Sequence, residues 1–330
     1  MKIGITYDLK QDYLALGYKK EDIAELDRIE TIDAIENALK NLNFETERIG
    51  NIHNLVTKLA NGEKWDLVFN IAEGLHGLTR EAQVPALLDA YNIPYVFSDS
   101  LVLALSLHKG ITKTLIRAVG VPTADFYIVN SKDDIGKEDL PFPLFAKPAL
   151  EGTSKGINAL SKIKTKEELQ TVCQELLEKY KQPILVETYL SGREFTVGIT
   201  GTGEEAQAVG VLEILMTDKA TDDFYSFDNK ANFEECVTYK VVQDEIADQC
   251  IEKALEAWRG LNCRDGGRVD LRYDDKGVPN FIEVNPLAGL NPDDSDLPIM
   301  CNQLGITYQE LINRIMASAT KRVGLCLQKQ

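Results

Sequence analysis

Apolar and polar positions alternate in a regular way through the first third of the chain. Residues 2–7 form an apolar run of β type. From about Asp27 to Leu42, the residues Ile29, Ile32, Ile35 and Leu39 recur at helical spacing and predict a helix with one apolar stripe. Phe44 to Ile49 predicts a strand, Asn54 to Ala60 a helix, and Trp65 to Ile71 a buried strand. Glu81 to Tyr91 predicts a helix and Ile93 to Val96 a short strand. This alternation implies a parallel sheet with helices on both faces. A polar stretch, Asp8 to Glu25, interrupts it. Leu101 to Val119 reads as a helical link. Pro122 to Val129 and Leu144 to Pro148 read as strands, and Lys164 to Lys181 as a charged amphipathic helix. Ile184 to Tyr189 and Phe195 to Thr200 read as strands paired with each other, and Gly201 to Gly203 as a hairpin turn. A long helix (Asp244 to Trp258), a hairpin and a last helix (Thr307 to Ala319) complete the pattern, with no internal repeat.

The hairpin carries the strongest chemical signal. Arg268 to Tyr273 is one strand, Asp274 to Gly277 is turn chemistry, and Asn280 to Asn285 is the return strand. Side chains alternate across a strand. Arg268, Asp270 and Arg272 therefore share one face, and Glu283 and Asn285 share one face. Ile282 and Val284 are expected on the packed side. Asp270, Glu283 and Asn285 can meet as hard oxygen ligands beside Arg268. Magnesium takes few protein oxygens and keeps phosphates and waters for the rest. The other reading is a solvated hairpin whose charges face water.

Composition narrows the partners. The chain has 330 residues, 44% apolar and 27% charged, enough for two or three compact lobes. Its net charge of −16 argues against a nucleic-acid groove or an anionic membrane as main partner. A nucleotide site would have to concentrate positive charge locally. No stretch approaches a membrane span, and the start of the chain reads as a strand rather than a signal peptide. The six cysteines are scattered without metal-type spacing. They fit reduced thiols in a cytoplasmic protein, and the three histidines make no zinc cluster with them.

Two further segments suit a nucleotide site. Phe145 to Gly156 is a strand, a lysine (Lys147) and a small-residue loop. Gly152 and Gly156 allow that loop to fold over a phosphate and offer N–H groups. Its spacing is not that of a Walker A loop. Glu187 ends a hydrophobic strand, and a buried carboxylate needs a donor. An adenine amino group would serve, and so would a nearby Lys or Arg.

Taken together, the segments resemble the ATP-grasp superfamily, most closely the D-alanine–D-alanine ligases. The resemblance runs in one order over nearly the whole chain. It passes from Asp66–Gly77 through Ile93–Tyr95, Leu107–Lys113, Gly120–Pro122 and Lys147–Gly156. It continues through Glu187–Val197 and Phe224–Lys230 to Arg268–Asp270 and Glu283–Asn285. It implies an ATP-grasp α/β fold of three lobes. These are a Rossmann-like parallel-sheet lobe (1–100), a small central lobe (101–190) and a C-terminal antiparallel lobe (191–330), with ATP between the last two.

It also implies roles. Lys109 and Lys147 would bind ATP phosphates under the loop carrying Thr153 and Ser154. Glu187, with the backbone of Tyr189 and Leu190, would read adenine, and Glu194 the ribose. Lys230 would meet the terminal phosphate. Asp270, Glu283 and Asn285 would hold two magnesium ions, with manganese as a substitute, and Arg268 would stabilise an oxyanion. Glu30 would hold the first substrate's ammonium, and His76 and Glu81 would line the entrance to its pocket. His76 can equally cap or bond the backbone. Small amino acid or peptide substrates, and a homodimer through the first lobe, are part of the same implication.

The match breaks on the substrate side. Residues 8–26 replace the glycine-rich turn that follows the first strand in the ligases. Ala231 stands where the family has tyrosine, and Pro286 to Gly289 departs from the family pattern. The acidic loop that follows, with Asn291, Asp293, Asp294, Ser295 and Asp296, could recognise an amino group or be a solvated turn capping a helix. Amide formation through an acyl phosphate is therefore expected with an altered acceptor pocket. The competing readings are a ligase that extends a larger peptide or metabolite, and a nucleotide-binding regulator without turnover.

Overall fold

A computed structural model describes residues 1–220 and 233–325. Lys230 and Ala231 lie outside them. The alternating first third folds as expected into a parallel sheet, ordered β2 (Glu45–Gly50), β1 (Lys2–Thr6), β3 (Leu67–Asn70). The apolar stripe on helix Ile29–Asn41 buries Ile32, Ile35 and Leu39 against it. Ile93 to Val96 contributes only a bridge from Tyr95 to Val68.

The middle of the chain forms a four-stranded antiparallel sheet, ordered β4 (Phe126–Val129), β7 (Ile184–Thr188), β5 (Leu144–Pro148), β6 (Lys162–Ile163). Helix Lys166–Tyr180, capped by Thr165 at Glu168 N–H, buries Leu169, Val172 and Cys173 against it. The third sheet has five strands. Its order is β10 (Val237–Val241), β9 (Gln207–Met216), β8 (Glu194–Thr200), β11 (Gly266–Tyr273), β12 (Pro279–Asn285). The segments 184–189 and 195–200 are therefore not a pair. The Leu190–Arg193 connection carries the chain from one sheet to the next, and β8 finds its partners in β9 and β11.

The expected single helix over 101–119 is two helices, Ser100–Leu107 and Lys109–Ala118. His108 leaves helical geometry between them and caps the second, its Nδ1 accepting from Ile111 N–H at 3.3 Å. Lys109 thus starts a helix, and Lys113 lies one turn on, on the same face.

Cores and sequence order part company at the C-terminus. Helices Asp296–Gln303 and Tyr308–Arg322 return to the first lobe. There Leu297, Leu311, Ile312 and Ile315 share one apolar cluster with Ile3, Ile5, Ile35 and Phe69. Asn291 Nδ2 donates to Thr31 Oγ1 at 3.0 Å beside this junction. The loop after β12 is thereby pressed against the start of helix Ile29–Asn41. Leu311→Ala, at a fully buried position, is expected to cost about 2–5 kcal/mol. Denaturant unfolding followed by far-UV dichroism checks this, and a loss near zero would show the last helix to be dispensable for the first lobe.

Candidate active site

The hairpin behaves as its spacing demands on one strand and departs on the other. On β11, Val269 and Leu271 enter the core while Arg268, Asp270 and Arg272 face a cleft. On β12, Asp270 sits opposite Glu283, but Leu271 sits opposite Phe281. Ile282 is therefore an extra residue, a β-bulge. It puts Ile282 and Glu283 side by side on the cleft wall and sends Phe281 and Val284 inward. Ile282 thus lies on the cleft side, not the packed side, because the bulge breaks strict alternation.

The cleft between the second and third sheets is lined by positions from several expected motifs, among them Lys147, Ser154, Tyr189, Leu190, Glu194 and Glu283. Its centre is a buried triad. Lys113 Nζ lies 2.7 Å from Glu187 Oε2, and Lys147 Nζ lies 2.9 Å from Oε1. Burial alone would raise the Glu187 carboxyl; the two lysines outweigh it and hold it at about 2. Of the two donors open to Glu187 in the sequence, the structure shows the lysines. Lys113 also donates to Thr123 Oγ1 at 2.7 Å and to the Phe281 carbonyl at 3.2 Å. All three of its protons are used. At the outer end, Tyr189 stacks on Phe145 with centroids 6.1 Å apart, and Arg272 donates to the Tyr189 hydroxyl at 3.1 Å. Arg272 also pairs with Glu194 at 3.2 Å.

At the inner end, Lys109 lies 3.3 Å from Glu283, and its Nζ donates to the Glu151 carbonyl. Arg268 pairs with Asp270 and lies 3.4 Å from Asp296. Asn285 Nδ2 donates to Asp270 Oδ2 at 3.1 Å. Asp270 Oδ1 and its register neighbour Thr196 Oγ1 are buried without a hydrogen-bond partner. Burial pushes the Asp270 carboxyl up, Arg268 opposes this, and Glu283 adds to it. An orphaned carboxylate oxygen beside a second carboxylate and a carboxamide side chain is a donor set that fits a divalent cation.

A second cavity, of about 850 Å³, adjoins the first and shares Lys109, Glu151, Gly152, Arg268 and Glu283 with it. Glu81, Thr153, Asn285, Asn291, Asp294 and Ser295 line it. Glu30 and His76 do not. Glu30 is exposed on the first turn of its helix, where Thr31 and Ile32 take the buried face. His76 is exposed, 3.1 Å from the Tyr18 hydroxyl. The polar stretch 8–26 and the residue that follows it supply what was not anticipated. Asp27 and Glu25 line the cavity, and Glu25 accepts from Gly152 N–H at 2.6 Å while pairing with Arg80 at 2.7 Å. Glu73 is a further unanticipated acid on the wall. Burial raises the carboxyls of Glu73, Glu81 and Asp27, the last two to about 7. Asp294 is tied to Arg28, and Asp296 is buried, so the acidic loop is not a solvated turn.

The family model described as D-ala D-ala ligase C-terminus matches residues 115–317. A D-alanine–D-alanine ligase of Aquifex aeolicus is 30% identical over 87% of this chain and 94% of its own length. The chain belongs to the D-alanine–D-alanine ligase family. An uncharacterized protein of Sinorhizobium fredii is 32% identical over 78% of this chain and 75% of its own length. The crystal structure of a Bacillus anthracis D-alanine–D-alanine ligase superposes with TM-score 0.74 at 22% identity, covering 98% of both chains, and establishes the ATP-grasp fold. This family member is an ATP-dependent, ADP-forming ligase that makes C–N bonds from small molecules. None of its described helices is long and apolar enough to cross a membrane.

Two outcomes test this geometry. Lys113→Met leaves Glu187 buried with one cation fewer and is expected to destabilise by about 3–5 kcal/mol, read by denaturant unfolding. An unchanged midpoint would dismiss the triad as a structural element. The Asp27 carboxyl holds a proton in the folded protein at pH values where the unfolded chain, ordinary value 3.8, has lost it. Folding therefore weakens as pH rises through that window, up to about 7. The Asp27→Asn variant should gain Tm relative to the wild type across the same window and level off above it. A difference independent of pH would mean that Asp27 is charged in the fold.

Proposed function

We propose that this ligase activates a carboxylate as an acyl phosphate and joins it to an amine, with an acceptor that differs from D-alanine. The observation that carries the reading is the shared wall of the two cavities. Lys109, Arg268 and Glu283 face both the nucleotide cleft and the substrate cavity. A γ-phosphoryl group held by Lys109 and Lys147 would lie beside a carboxylate in the larger cavity. The lysines offset charge developing during transfer. Asp270, Glu283 and Asn285 would hold magnesium, which when bound supplies further charge compensation. Arg268 would then face the oxyanion formed as the amine attacks the acyl carbon. Tyr189 and Leu190 would flank the adenine, and Glu194 would meet the ribose.

The acceptor side supports a cationic or larger nucleophile. A cavity of about 850 Å³ is in the upper part of the range that takes drug-sized ligands. Asp27, Glu73 and Glu81 are carboxylates kept from their charged form by burial, and an ammonium group among them would restore it. Glu25 lies on the cavity wall that Glu30 does not reach and would face the first substrate's ammonium. The unpaired, buried cysteines of the described residues suit a reducing cytoplasm. The homodimer that the family implies would use the first lobe.

ADP and phosphate release should be followed with ATP, magnesium and a panel of D- and L-amino acids, including diamino acids, with mass spectrometry of the products. Product with a diamino acid or a larger amine, and none from D-alanine alone, is the expected result. The D-alanyl dipeptide as sole product would overturn the acceptor assignment. Asp270→Asn and Glu283→Gln should abolish turnover while leaving Tm in place, and retained turnover would remove the metal assignment.

A further inference from the structure

Arg268 and Asp270 stand two residues apart on one face of β11 and pair directly. The guanidinium therefore sits on the carboxylate that would take the metal. Two cations compete for one small anion, and the competition is sharp where water is excluded. A metal can use Asp270 fully only if Arg268 has another acceptor.

The structure supplies one. Asp296 opens helix Asp296–Gln303, is only 7% exposed, and places Oδ2 3.4 Å from Arg268 Nε. Its other oxygen accepts from the Tyr239 hydroxyl at 2.8 Å, so a strand on the far side of the sheet fixes its position. The helix N-terminus favours its negative charge. Neighbouring Asp294 is already engaged with Arg28.

We propose that Asp296 is a positioning residue for Arg268. It draws the guanidinium off Asp270 when a divalent cation binds, and it holds Arg268 at the junction of the two cavities. The inference rests on Asp270 being a metal ligand.

Manganese binding to the complex of the whole protein with AMPPNP, followed by electron paramagnetic resonance, tests it without knowledge of the substrate. Asp296→Asn should weaken manganese binding about ten-fold, the loss typical of an outer-shell partner. AMPPNP affinity without metal should be unchanged. In an Arg268→Met background the same substitution should have no effect, because the competing cation is gone. Tyr239→Phe, which keeps both charges, should give a smaller loss in the same direction, and Asp296→Glu should recover most of the affinity. Asp296→Asn binding manganese within two-fold of wild type would overturn the proposal. So would a loss that persists without Arg268, since that would be the direct field of Asp296. If Asp296→Asn does not fold, Tyr239→Phe decides in the same way. An Asp270→Asn variant with wild-type manganese affinity would overturn the metal assignment itself, and this inference with it.

Discussion

The ammonium of Lys113, shut away from water, is the contact on which the cleft between the second and third sheets depends. Its three protons reach Glu187 on β7, Thr123 before β4, and the carbonyl of Phe281 on β12. One cation thus ties the central sheet to the C-terminal sheet at the back of the cleft. It also fixes Glu187 as an anion, which in turn holds Lys147 charged although burial alone would lower its pKa. Remove the central anion and two buried cations face each other. The site is stable only as a set, which is characteristic of buried ionic networks.

The larger cavity is assembled by a different logic. Its walls come from segments far apart in sequence: the polar stretch 8–26, the acids after β3, the phosphate loop and the turn after β12. Arg28 with Asp294 and Thr31 with Asn291 close it from one side, and Glu25 with Gly152 closes it from the other. The return of the C-terminal helices to the first lobe makes these meetings possible.

This difference explains what could be read from the chain alone. Alternation and helical spacing located the elements of the first lobe because each obeys a local period. The meeting of Lys147, Glu187 and Asp270 in one cleft was legible because they lie in short ordered motifs. The pairing of β7 was misjudged because adjacency in sequence does not fix which sheet a strand joins. Glu30 was assigned by resemblance to the family motif, which does not say which way the residue turns on its helix. The first helical residue is Ile29, which turns Glu30 outward. Lys113 gave a signal, four residues after Lys109 on one helix face, but its burial depends on a carbonyl 168 residues away. Asp296 was equally hidden, since its partners Arg268 and Tyr239 come from other strands.

The register around the bulge at Ile282 limits how this family member can change. Composition along β12 is free to drift as long as each face keeps its character. Register is not. Deleting Ile282 would restore even alternation with Phe281 and Val284 still inward and Glu283 still on the cleft, whereas a one-residue slip of β12 against β11 would exchange every face. In such a slip Glu283 would turn toward the core and Val284 toward the cleft. The turn Asp274–Gly277 lies at the exposed tip of the same hairpin, beyond the bulge, and can absorb insertions without moving Glu283. Descendants of this chain should therefore differ in length at the tip of the hairpin and hold register along the strand that carries the acid.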